Sequence, residues 1–186
     1  MKLEQTFQVE APLERVWEAL IDVRRVAPCL PGAEIDESSE DGTYRGSFTV
    51  KLGPTTASYR GELRMEEVDE AARRVVMRAN GQDKRGQGTA KATIESVMTP
   101  AGDATKVDVV TDFTITGRLA RFGRGGMIQD VSNRLLRDFS SCLQSSIEAD
   151  RPGDAPAEPP AAAKPVSGFS LFFRALADRI RRLFGG

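Results

Sequence analysis

At 186 residues, 40% apolar and 28% charged, the chain has the length of one ordinary domain plus an appendage and enough apolar content for a core. It contains no histidine, which excludes histidine-based triads, histidine general bases and histidine-ligated metals. The net charge of −1 conceals an asymmetry: residues 1–150 carry 20 basic and 24 acidic side chains, a net of −4, whereas residues 151–186 carry 6 and 3, a net of +3.

The first ten residues, MKLEQTFQVE, alternate polar and apolar with no continuous apolar run, so a strand and not a secretory signal is expected. Ala11-Pro12 then opens a helix, with proline placed where a missing N–H costs least. Leu13, Val16, Trp17, Leu20 and Ile21 share its apolar face, and Trp17 at helical spacing reads as core. A second short turn through Val23 and Val26 stops at Pro28 and Pro31. The acidic group Glu34, Asp36, Glu37, Glu40 and Asp41 lacks a calcium-loop pattern and reads as a solvated turn.

Five strand signals follow. Thr43–Leu52 would turn Tyr44, Gly46, Phe48, Val50 and Leu52 inward; after Gly53-Pro54, the next strand would turn Ala57, Tyr59, Gly61, Leu63 and Met65 inward. Arg73–Gly81 offers Val75, Met77, Ala79 and Gly81, and Gly88–Met98 offers Ala90, Ala92, Ile94 and Ser96. Thr105–Gly117 offers Val107, Val109, Thr111, Phe113, Ile115 and Gly117. This is an antiparallel sheet with one wet and one buried face. Its inner set is unusually small: glycines, alanines, Ser96 and Thr111 recur where a tightly packed sheet carries bulk. Such residues either leave a cavity or mark the bends of a curved sheet, and both can hold together.

The segment 117–126, GRLARFGRGG, is broken by glycines and reads as a plain connector or as a gate with Leu119 and Phe122 as apolar flaps. From Met127 to Ala149, the residues Ile128, Val131, Leu135, Leu136, Phe139, Cys142, Leu143 and Ile147 form one wide helical stripe, so a long helix should close the domain against the sheet. Cys29 and Cys142 read as neither a disulfide framework nor a metal motif, and Cys142 should pack as a small hydrophobe. No strand–GxGxxG–helix unit is present, and one RFGRGG copy in an acidic body gives no case for nucleic acid.

Strand, two short helices, antiparallel strands and a long last helix is an order that resembles the α+β helix-grip fold of the START/Bet v 1-like (SRPBCC) superfamily. The stretches FQVEAPLERVWEALIDVRRVAPCLPGAE, GSFTVKLGPTTASYRGEL and DFTITGRLARFGRGGMIQDVSNRLLRDFSSCL narrow the resemblance to the CoxG family of carbon monoxide dehydrogenase subunits. CLPG, VKLGP and TGRLARFG are its most specific pieces, and it covers about residues 1–150. The resemblance implies a curved antiparallel sheet wrapped on the terminal helix, with a ligand cavity. It also implies attachment of a molybdenum CO dehydrogenase to the membrane, where electrons reach the quinone pool. Catalysis is not implied.

Residues 151–168, RPGDAPAEPPAAAKPVSG, hold five of the ten prolines and read as a semi-rigid extended linker. In residues 169–186, Phe169, Phe172, Phe173, Leu176, Ile180, Leu183 and Phe184 recur on one arc, with Arg174, Arg181 and Arg182 opposite. That pattern fits an interfacial helix in an anionic leaflet, against the alternatives of folding back or docking in a partner's groove. A packed element needs no long proline spacer, which favours the membrane.

The expected protein is a non-catalytic carrier or adaptor, cytoplasmic and peripheral on the inner face of the cell membrane. Residues 1–150 would hold a hydrophobic ligand, a respiratory quinone (menaquinone or ubiquinone), bound without a covalent cofactor and without metal. The expected cavity residues are Phe48, Tyr59, Leu63, Met77, Ile94, Thr111, Phe113, Phe122, Ile128, Val131, Leu135 and Phe139, with Tyr59 and Thr111 as polar handles. The rival readings are a ligand-free scaffold for CO dehydrogenase and a cyclase- or hydratase-like enzyme using polar groups inside the cavity.

Overall fold

The computed structural model describes residues 1–53, 55–86, 88–117, 119–120 and 126–150. Seven strands, β1 (Lys2–Val9), β2 (Ala33–Ser38), β3 (Thr43–Leu52), β4 (Thr55–Asp69), β5 (Arg74–Asp83), β6 (Thr89–Ala101) and β7 (Ala104–Ile115), form one antiparallel sheet in the order β1-β7-β6-β5-β4-β3-β2. Consecutive strands from β2 to β7 are neighbours, and β1 closes against the last of them. The helices are α1 (Leu13–Ile21), α2 (Val23–Val26) and α3 (Met127–Ala149), with a 3₁₀ turn at Ala27–Cys29. This is the helix-grip architecture that the order of sequence signals implies.

The register fixes which residues meet beneath α3. One inner-face row runs Ile35, Gly46, Gly61, Gly81, Ala90, Ile115 across β2 to β7. A Cβ added at Gly46 would lie 2.0 Å from the Glu34 carbonyl oxygen, and one at Gly61 would lie 1.8 Å from that of Asn80. The neighbouring backbone folds over these positions, so the sheet curls along this row because no side chain stands there. Gly32, in the CLPG turn, has φ +87°, and a Cβ there would meet the Thr49 carbonyl oxygen at 2.1 Å. The chain enters β2 through a turn that only glycine accommodates.

Two packed clusters hold the sheet and helices together. At one end Val9, Val16, Trp17, Val75, Met98 and Val107 pack with Leu143 and Ile147 of α3. Trp17 is buried as expected, and the Arg73 guanidinium stacks on its ring at 5.3 Å. At the other end Leu52, Ala57, Tyr59 and Leu119 pack with Val50, Ala90, Ile115, Met127 and Val131. Polar clips fasten α3: Gln5 Nε2 donates to Asn133 Oδ1 at 2.9 Å, Gln144 Oε1 accepts from the Glu10 N–H at 2.7 Å, and Arg25 pairs with Asp150. Arg15 donates to the Ile147 carbonyl oxygen, where the helix exposes unsatisfied acceptors.

Two sequence expectations are corrected. Ala33–Ser38 is a strand, not part of a solvated turn: Ala33 and Ile35 face inward while Glu34, Asp36 and Glu37 are exposed. Its charges are those of an edge strand, which has one neighbour and much contact with water. Cys29 and Cys142 form a disulfide, with Cα atoms 5.2 Å apart across 113 residues of sequence. Cys142 therefore does not serve as a free packing residue. The bridge exists because the 3₁₀ turn docks on α3, a proximity that no spacing rule encodes.

Candidate functional site

Between the two clusters the inner face of the sheet does not meet α3. A cavity of about 570 Å³ remains, within the range of small-molecule sites. Its floor is the inner face of β3 to β7, one wall is α3, and the other combines β1, β2 and the α1–α2 segment. Phe48, Leu63, Met77, Ile94 and Thr111 stay only half-buried although they point away from bulk water, because the void leaves them uncovered.

Of the expected cavity residues, Phe48, Tyr59, Leu63, Met77, Ile94, Thr111, Phe113, Ile128, Val131, Leu135 and Phe139 all border this space. Phe122 lies outside the described residues, as do the linker 151–168 and the whole of 169–186 with the expected membrane-binding side chains. Leu119 is buried and borders the cavity. The segment 117–126, read as a plain connector or a gate, falls largely outside the described residues. Period-two alternation in the strands and the apolar stripe of α3 carry most of this assignment.

Sequence reasoning misses the far wall. Leu20, Val23, Val26, Ala27 and Leu30 border the cavity, as do Leu3 and Phe7 of β1, and Ala33 and Ile35 of β2. The apolar spacing of α1 and α2 is plain in the sequence but reads wholly as core. Phe139 joins the walls: its ring meets Phe7 edge to face, with centroids 6.1 Å apart and planes at 86°.

Polar groups on the lining are few. The hydroxyl-bearing residues Tyr44, Ser47, Tyr59, Ser96, Thr111 and Ser132 belong to it, and the amides of Gln5 and Asn80 are already bonded to Asn133 and Glu62. Glu34, Arg45, Glu62 and Lys91 also border the space, but their side chains are exposed at outer-face positions. Tyr59 is the lining group with a displaced pKa: burial, and then the Asp83 carboxylate, push its phenol above the ordinary tyrosine value. The arrangement can enclose an apolar molecule and offer it hydroxyl donors. Among the described residues it does not bring together a buried carboxylate and a second titratable group for proton transfer.

The family model for CoxG, described as a subunit of carbon monoxide dehydrogenase, matches residues 6–148, most of the chain. The chain belongs to the CoxG family. No curated protein sequence matches this CoxG chain. Among solved structures it is similar to a conserved protein from Geobacillus kaustophilus, with TM-score 0.69 and 20% identity over 80% of this chain and 95% of that one. It is also similar to the Zhui aromatase/cyclase from Streptomyces sp. R1128, with TM-score 0.55 and 19% identity over 80% and 93% of the two chains. Ara h 8.0201 matches with TM-score 0.54 and 15% identity over 81% and 99%. At these identities the likeness shows the helix-grip fold alone. No helix among the described residues is long and apolar enough to cross a membrane.

Proposed function

We propose that this CoxG-family chain is a non-catalytic carrier that holds a respiratory quinone, menaquinone or ubiquinone, and links a molybdenum CO dehydrogenase to the membrane and its quinone pool. The observation that carries the proposal is the cavity of about 570 Å³ between sheet and α3, walled almost wholly by apolar side chains. Burial at roughly 25 cal/mol per Å² of apolar surface would supply most of the affinity, and an isoprenoid chain offers that surface. The methionines Met65, Met77 and Met98, in or beside the wall, are adaptable thioethers suited to a flexible hydrocarbon. The membrane link is assigned to the tail: residues 151–168 act as tether, and 169–186 lie in an anionic leaflet on the cytoplasmic side.

The scarcity of acid–base groups on the lining supports carriage over cyclase- or hydratase-like chemistry. The void itself favours a carrier over a filled scaffold that only recruits the dehydrogenase. Solvent extraction of the purified full chain, followed by mass spectrometry and ultraviolet spectra, tests the reading. A stoichiometric quinone is expected. No extractable lipid, from protein that also fails to bind added quinone, would leave the scaffold reading ahead.

A further inference from the structure

A carrier must hold its cargo one way round, and the inner face is not uniform along the cavity. The row Gly46, Gly61, Gly81 and Ala90 crosses it in register and presents backbone with at most a methyl group. A flat ring can settle there at van der Waals distance, whereas beyond the Ala79–Ala92 pair Met77 and Ile94 raise the floor. Beside the row stands Tyr59, which borders the cavity yet is only 7% exposed. Its ring leans over Gly81: a Cβ built on that glycine would lie 3.1 Å from Tyr59 Cβ and 3.7 Å from Cδ1.

Among the described residues the Tyr59 hydroxyl has no protein hydrogen-bond partner, and it is not sealed from water, since no polar side-chain atom there is both buried and unpaired. Without a guest the hydroxyl is left to water, and a guest that brings an acceptor of its own can take that water's place. Burial keeps the phenol protonated, hence a donor, throughout the neutral range. Resting on the carrier reading, we infer that Tyr59 orients the cargo by donating a hydrogen bond to a carbonyl on a flat ring at this low end of the floor, beside its own ring, with the hydrocarbon directed toward Met77 and Ile94.

The competing role for Tyr59 is to cover Gly81, since aromatic rings often shield sheet glycines. That role needs the ring and not the hydroxyl, so Tyr59→Phe separates the two. The test uses the full chain with two probes of one shape, 2-methyl-1,4-naphthoquinone and 2-methylnaphthalene, titrated into wild type and variant. Tyr59→Phe should weaken the quinone by about tenfold, as the loss of one hydrogen bond implies, and leave the hydrocarbon within about twofold. The infrared carbonyl stretch of the bound quinone should also move to higher wavenumber in the variant. Equal losses for both probes, or none for either, overturn the inference while leaving the carrier intact. A wild type that binds neither probe sinks the carrier reading and this one with it. Gly81→Ala tests the floor: its methyl group presses on Tyr59 Cβ and raises the row, so both probes should weaken, and undiminished binding would put the guest ring elsewhere.

Discussion

Tyr59 should make the folded domain sensitive to alkali. Its folded pKa is raised by burial and then by Asp83, above an unfolded value of about 10. Between those two values the unfolded chain has released a proton that the folded chain still holds, so stability falls as pH rises through that window. Urea unfolding at pH 9 and at pH 11 should therefore show a larger loss in wild type than in Tyr59→Phe. Equal losses would assign the effect to other groups. At this scale much of the site is legible from alternation: Phe48, Tyr59, Leu63, Met77 and Phe113 follow from knowing which strand face is apolar. Ile35 is not, because three acidic neighbours dilute its period-two signal. Leu20 and Val26 are evidently apolar, but a helical face does not say whether it meets side chains or a void.

The element that sequence reasoning misjudges most is the turn Ala27–Cys29, whose disulfide to α3 fastens the two walls on either side of the cavity. Joining residues 113 apart restricts the unfolded chain strongly, and bridges of this kind contribute about 2–5 kcal/mol. Cys142→Ser, or reduction of the wild type, should lower the denaturant midpoint correspondingly. Non-reducing peptide mapping should recover the Cys29 and Cys142 peptides joined. Two titratable thiols in the native, unreduced protein, with stability unaffected by reductant, would refute the bridge. In a glutathione-buffered compartment such a bond persists only if its potential is low or its access is poor, so its occupancy in cells reports on how well α3 shields it. The long strands and α3, by contrast, announce themselves in sequence, because each repeats one period over many residues.

For the whole molecule, the proposed function divides two activities between separate stretches: cargo on residues 1–150 and lipid on 151–186. Truncation after Asp150 should abolish binding to anionic liposomes while leaving quinone affinity within about twofold. Retained liposome binding would move the membrane contact onto the folded domain. The fold is readable as a whole because element order, turns and patterns agree. The emptiness inside is readable only as an excess of small inward residues, since sequence records what side chains are present and not how closely they meet.

That emptiness sets how the domain answers to compression. Unfolding collapses internal voids into solvent, so folded proteins lose stability under pressure in proportion to the void volume they contain, typically through volume changes of about −20 to −100 mL/mol. The cavity of about 570 Å³ is partly open, so the share of it that water leaves unfilled is what counts toward this volume when the guest is absent. A bound quinone would occupy the space that pressure exploits. The shift in unfolding pressure on loading would then measure how much of the interior the cargo fills, without reference to how tightly it is held.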